Sequence, residues 1–456
     1  MRNIAFVLGL SLTLSLLPLQ LMAGEGMWLP LLLASLNEAD MQAAGLELSA
    51  EDIYSVNQSS LKDAVGLFGG GCTGSIISDK GLYLTNHHCG LSYLQRQSTL
   101  ENNYLENGYW ATNQEEELSN EGLTATFLVR MESVTDQILA GVTRETTEQE
   151  RAALVAKRSL EIQQANAGEY QARVVSFFQG NEYYLLLTQT YRDVRLVAAP
   201  PKAIGKFGGE IDNWVWPRHN ADFMLFRIYT GPDGKPAPYA EENVPLKPKH
   251  FLPVSLEGVK EGDFTMVMGF PGTTEENLPS SGLAITQELR DPLRVNLRAA
   301  RLDIIEEVME REPETRLTFA SKKSGVANAY KKWRGRILGL RKNDAIQIKE
   351  AREEEFQARV NASPEWKAAY GDLLSTFNDL YQETGPARLV TDYFIEGGYT
   401  LEFVRFAAGM SNLFQDYPEG EGAEQEKIIA EAKDRTERFF ANYRADMDQA
   451  LLQAVV

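Results

Sequence analysis

The chain has 456 residues, enough for two or three domains with sizeable cores. Its 64 acidic and 45 basic residues leave a formal charge of −19, which repels a phosphate backbone and excludes general electrostatic affinity for nucleic acid. A composition of 43% hydrophobic and 24% charged residues is that of a soluble globular protein.

The opening "MRNIAFVLGLSLTLSLLPLQLMAGEG" carries one positive charge at Arg2, an apolar stretch from Ile4 to about Leu21, and small residues near Ala23. This is the pattern of a secretory signal peptide over residues 1–23. Pro18 and the Ala23-Gly24 junction favour cleavage over a retained membrane anchor, and no later segment has enough uninterrupted apolar residues to span a bilayer. The mature protein is thus expected to begin near Gly24, off the membrane, in the periplasm or outside the cell.

After the signal, "LSAEDIYSVN" contains a helix start with Ser49 as N-cap and Asp52 at the capping-box position. "GSIIS" and "GLYLTN", separated by "DK", suit a hairpin or a close strand pair. Residues 135–167 read as helix, with Leu139, Val142, Leu154, Leu160 and Ile162 among charged residues and glutamines. Strand signals resume at "ARVVSFF", "EYYLLLTQTYRDVRLVAA" and "DFMLFRIY", and the run "DFTMVMGFPG" closes the β-rich part near Gly272. Beyond about Leu283 the chain turns rich in Glu, Lys, Arg, Gln and Ala, with Leu302, Ile305 and Met309, and later Phe377, Leu380 and Tyr381, at helical spacing. The organisation expected is α+β: a β-rich domain over 24–283 and a helical domain over 284–456.

Both cysteines and two of the four histidines lie in "GGGCTGSIISDKGLYLTNHHCG". Export favours pairing of Cys72 with Cys89. Antiparallel pairing of the two apolar runs brings their ends within disulfide reach. A metal site would need further ligands, and His87, His88, His219 and His250 are all the histidines there are, so no metal and no cofactor is expected. A histidine held beside a disulfide at the rim of a β-barrel resembles the general base of chymotrypsin-like serine peptidases. The order there is Cys, Ser, two apolar residues, a strand, then Thr-x-x-His-Cys, and here it is Cys72, Ser75, Ile76-Ile77, Leu82-Tyr83-Leu84, Thr85-Asn86-His87-His88-Cys89. His88, beside Cys89, is the candidate base, and Ser75 reads as a structural strand residue.

A general base needs a carboxylate to hold its tautomer and stabilise the imidazolium. Asp222 opens the alternating run in "HNADFMLFRIY", and an acid at the mouth of a buried strand is costly without a partner. Neither "GNSGSP" nor "GDSGG", the loops that carry the nucleophile, occurs in the chain.

The runs "GEGMW" from Gly24, "TNHHC" from Thr85, "ENNYLENGYWA" from Glu101, "GKFGGEIDNWVWPRHNADF" from Gly205 and "GFPGTT" from Gly269 are specific. On these runs the chain resembles the bacterial dipeptidyl-peptidase 7/11 family of exported serine peptidases. The resemblance implies a chymotrypsin-like double β-barrel with a large inserted α-helical domain, acting on peptides with a free N-terminus and releasing dipeptides, in the periplasm or at the cell surface, with a homodimer among the implied assemblies. By motif it assigns His88 as base and Asp222 as its orienting acid, and it assigns Asn213, Trp214 and Asn328, in "SGVANAYKKWRG", to the substrate's α-amino group. Amide carbonyls and an indole face suit an ammonium. Trp216 in the same run reads as ordinary aromatic packing.

Members of that family are longer and carry the nucleophilic serine and most of the second barrel in a C-terminal portion that has no counterpart here. The expectation is therefore an N-terminal fragment, inactive alone, with the second barrel largely absent and apolar barrel-facing surface left wet. The alternative is a degenerate, inactive relative that serves as a non-catalytic periplasmic binder of peptide N-termini.

Overall fold

The computed structural model describes residues 27–455 apart from 144, 209–212, 274, 276, 416 and 418–421. The expected signal segment, 1–23, lies outside these residues, as do the first three residues of "GEGMW" and part of "GGEID". The chain is mixed α and β, with a large antiparallel sheet and a run of helices from Ser280 to Val455. Among the described residues no helix is long and apolar enough to cross a membrane. The chain forms two compact units: one runs up to Tyr83 and includes Leu123–Asp193 and Ile228–Pro271, and the other comprises Leu84–Gly122, Val194–Arg227 and the chain from Gly272 onward.

In the first unit the strands run in the order Cys72–Ile76, Val65–Phe68, Ala125–Ser133, Glu182–Tyr191, Gln171–Phe177, each antiparallel to the next. Ser75 lies in the first of these strands opposite Val65, a sheet position as its sequence setting implied. The turn after Ile76 closes with the Ile77 N–H donating to the Leu82 carbonyl at 2.8 Å. Ser49 and Asp52 form the capping box read from the sequence, with the Ser49 N–H donating to the Asp52 carboxylate at 2.9 Å. The helix they start contributes Ala50 and Ile53 to a cluster with Leu33, Met41 and Leu46.

Two elements differ from the sequence reading. The helix expected over 135–167 is a single turn, Thr135–Ile138, followed by a new helix, Glu148–Ala165. Gly141 takes a φ of +69°, and a Thr147/Glu150 capping box nucleates the second helix, so local chemistry breaks the apolar periodicity. The run "DFTMVMGFPG" is not a strand. It packs Phe264 and Met268 against the Leu33 cluster while Val267 is fully exposed, and apolar alternation makes a strand only where a neighbour supplies the ladder.

In the second unit Leu302, Ile305 and Val308 pack with Phe319, Val326 and Met447, and Met309 packs against them partly buried. Fully buried Asp291 accepts from Nε and Nη2 of Arg336, both at 2.6 Å. Arg290 donates to Asp392 at 2.6 Å, and Arg298 donates to Glu396 at 2.7 Å. Such buried pairs are costly to desolvate, and removing one partner leaves an uncompensated buried charge. The last helix, Ala445–Val455, places the Asp448 carboxylate on the N–H groups of Glu402 and Phe403, at 3.0 and 2.8 Å, capping the helix Glu402–Leu413.

Candidate active site

His88 lies in the first turn of the helix His87–Gln97, whose N-cap, Asn86, makes no side-chain cap hydrogen bond. The free N–H groups of a helix start attract an anion, and Asp222 supplies it. The His88 N–H donates to Asp222 Oδ1 at 3.0 Å, while Asp222 Oδ2 lies 2.7 Å from the His88 ring Nδ1. Asn86 Nδ2 donates to the backbone carbonyl and to Oδ2 of Asp222, at 3.2 and 3.3 Å.

A close helix-on-strand approach makes this reach possible. A Cβ on Gly90 would lie 2.1 Å from Met224 Sδ and 3.1 Å from the Phe226 ring, so only glycine lets the helix rest there. Met224 and Phe226, on the inward face of the strand Met224–Thr230, are fully buried, as the alternation after Asp222 implied. Asp222, two residues before that strand, therefore arrives at the helix start.

Burial pushes the Asp222 carboxyl up, but the hydrogen bond and charge of His88 outweigh it and hold the group below the ordinary aspartate value. The His88 side chain is 59% exposed and that of Asp222 17%. The carboxylate therefore fixes one ring nitrogen, with Nδ1 carrying the proton, and leaves Nε2 open to a reacting group.

His87 faces the other way and is 1% exposed. A Cβ on Gly205 would lie 2.5 Å from its ring, so the two pack without a gap. Burial holds the His87 imidazole below the usual histidine range, against the pull of Asp222. Of the two neighbouring histidines only His88 is accessible. Neither cysteine is free, and Cys72 and Cys89 are disulfide-bonded. His88 and Cys89 bring ligand atoms within 4.8 Å of each other, but a disulfide sulfur offers no thiolate to a metal.

The second set of candidate residues also meets. Asn213 Nδ2 donates to Asn328 Oδ1 at 3.1 Å, and Trp214 Nε1 donates to the same oxygen at 2.9 Å and to the Asn328 carbonyl at 3.0 Å. Trp214 has a φ of +64°, a left-handed conformation that costs about 1–3 kcal/mol in a residue with a Cβ and that these bonds hold in place. Lys332, one helical turn beyond Asn328, lies 5.7 Å above the Trp214 ring. Gln95 ties the helix of His88 to that of Asn328, donating to the Thr318 carbonyl at 3.4 Å and accepting from the Ser321 N–H at 3.2 Å. Trp216 is 90% exposed, so its reading as a packing aromatic is corrected: the turn it occupies faces outward.

Sequence reasoning passed over Asn86, Gly205, Arg218 and Asn220. All four lie within the runs quoted above, but their roles depend on which atoms the fold brings to them.

Residues 23–456 match the peptidase S46 family. The chain is 47% identical over 369 residues to an Asp/Glu-specific dipeptidyl-peptidase of Capnocytophaga gingivalis, covering 80% of this chain and 52% of the relative. It is 43% identical over 455 residues to an Asp/Glu-specific dipeptidyl-peptidase of Flavobacterium psychrophilum, covering 98% and 63%. A crystal structure of Porphyromonas endodontalis DPP11 in complex with the dipeptide Arg-Glu superposes with a TM-score of 0.79 at 33% identity, over 95% of this chain and 63% of that one. The chain thus spans between half and two thirds of the length of these relatives. Family match, sequence identity and superposition agree, and the chain belongs to the peptidase S46 family.

Proposed function

We propose that this chain carries the general base, the orienting acid and the amino-terminus anchor of a serine-type dipeptidyl peptidase. The observation that carries the reading is the 2.7 Å contact between His88 Nδ1 and Asp222 Oδ2 beneath an exposed ring. In the reaction His88 Nε2 takes the proton of a serine hydroxyl as its oxygen attacks the scissile carbonyl, and later returns it to the leaving amine. Asp222 holds the tautomer and stabilises the imidazolium. Asn213, Trp214 and Asn328 together form the anchor for the peptide's α-ammonium, so that two residues precede the cleaved bond. In this reading the serine is supplied from outside these 456 residues; what supports it is that neither a "GNSGSP" nor a "GDSGG" run occurs among them. Residues 24–283 belong to a chymotrypsin-like barrel domain, 284–456 to an inserted helical domain, and residues 1–23 direct export to the periplasm or beyond. A homodimer is among the assemblies that the family resemblance implies.

The second reading, a non-catalytic binder of peptide N-termini, is favoured by one feature: the Asn213, Trp214 and Asn328 cluster is hydrogen-bonded within itself and needs no nucleophile to form. Incubating the chain with a chromogenic dipeptidyl substrate tests the first reading. No dye release is expected from the chain alone, and release abolished by His88→Ala would overturn the view that the serine lies elsewhere. Sequencing the gene past codon 456 separates the readings: an in-frame run to a Gly-Asn-Ser-Gly loop supports the peptidase, and a stop codon supports the binder.

A further inference from the structure

Asn213 and Asn328 form an amide pair, and an amide pair is ambiguous in polarity, because either partner can donate to the other. Two groups that only donate remove the ambiguity here. Trp214 Nε1–H fixes Asn328 with its oxygen toward the indole, and Arg218 Nη1 donates to Asn213 Oδ1 at 3.0 Å. The Asn220 amide lies against Arg218, and with its oxygen turned toward the guanidinium, the orientation that two donors require, it accepts from Nη2 at 2.8 Å and from Nε at 3.2 Å and braces Arg218 in turn. Neither guanidinium nor indole N–H can accept a hydrogen bond, so neither amide can turn over without facing donor to donor. Asn328 Oδ1 already takes two donors, which leaves the second lone pair of Asn213 Oδ1 as the side-chain acceptor of the pair.

We propose that Arg218 is a positioning residue that locks the Asn213 amide so that its oxygen is the acceptor offered to the α-ammonium of a bound peptide. The proposal rests on the reading of Asn213, Trp214 and Asn328 given above. The guanidinium charge itself opposes an ammonium, so orientation and repulsion predict opposite outcomes when Arg218 is removed. Repulsion alone would make its loss tighten binding, whereas locking makes its loss weaken binding.

The test is calorimetric titration of the chain with a tetrapeptide bearing a free N-terminus and with the N-acetylated form of the same peptide. Arg218→Met is expected to weaken the free peptide by about tenfold, the worth of one ion-directed hydrogen bond, and to leave the acetylated peptide unchanged. Arg218→Lys, which keeps the charge and loses the fork, should not restore binding. Asn220→Ala, which leaves Arg218 in place without its brace, should shift the preference the same way by a smaller factor. The Nδ1 proton resonance of His88 should be unchanged in all three variants, which shows that the rest of the site is intact. Unchanged or tighter binding of the free peptide by Arg218→Met, or full binding by Arg218→Lys, overturns the proposal while leaving the amino-terminus reading intact. Wild-type protein that does not distinguish free from acetylated peptide overturns that reading and this proposal with it.

Discussion

Asp222 grips His88 at two points, the ring Nδ1 through Oδ2 at 2.7 Å and the backbone N–H through Oδ1 at 3.0 Å. One carboxylate thus serves as the cap of a helix and as the partner of an imidazole. The ring orientation is therefore coupled to the helix start, and loosening either loosens both.

Asp222→Asn keeps the shape and removes the charge, and its NH2 must face either the backbone N–H or the ring N–H of His88. The variant should lose the downfield His88 Nδ1 proton signal and about 1–2 kcal/mol of stability in urea titration. Because folding lowers the Asp222 pKa, its contribution is complete above the ordinary aspartate value of about 3.9 and disappears as pH falls through the lower folded value. The gap between wild type and variant should therefore persist at pH 5, and a gap that closes by then would contradict the assignment.

His87 gives the opposite end of the pH scale. Its folded pKa is depressed by burial, with Asp222, Lys206 and His88 the charged neighbours that also act on it. The unfolded chain takes up its proton first as pH falls below about 6.5, so stability declines from there until the lowered folded value is reached. His87→Phe keeps a flat ring against Gly205 and should flatten the thermal-melting profile between pH 7 and 5. An unchanged slope would show that another group is responsible.

The cysteines lie 17 positions apart, and their crosslink constrains the unfolded chain. Replacing both by serine should cost about 3 kcal/mol, seen as a lower urea midpoint, and adding a thiol reductant to wild type should reproduce the shift.

Gly205→Ala places a methyl group 2.5 Å from the His87 ring, which has no free space to retreat into. The expected loss is about 1–3 kcal/mol, with the His88 resonance displaced as its neighbour moves. Wild-type stability in this variant would mean that the helix and the Gly205 segment separate more readily than their packing implies.

Much of this site was legible in the residues. The run from Cys72 to Cys89 marked the frame, and "TNHHC" marked the histidine beside a cysteine as the candidate base. The alternation after Asp222 marked an acid at the mouth of a buried strand, because period-2 burial is a local property that the sequence carries directly. What tertiary structure decided was which atoms meet. His88 and Asp222 are 134 residues apart, and their contact exists because Gly90 lets a helix lie on Met224 and Phe226. The same is true of Asn213 and Asn328, 115 residues apart, and of Arg218, whose importance depends on the polarity of an amide pair. In "DFTMVMGFPG" the local pattern misled, because a strand forms only when another segment presents a free edge, and no stretch of sequence contains its own neighbour.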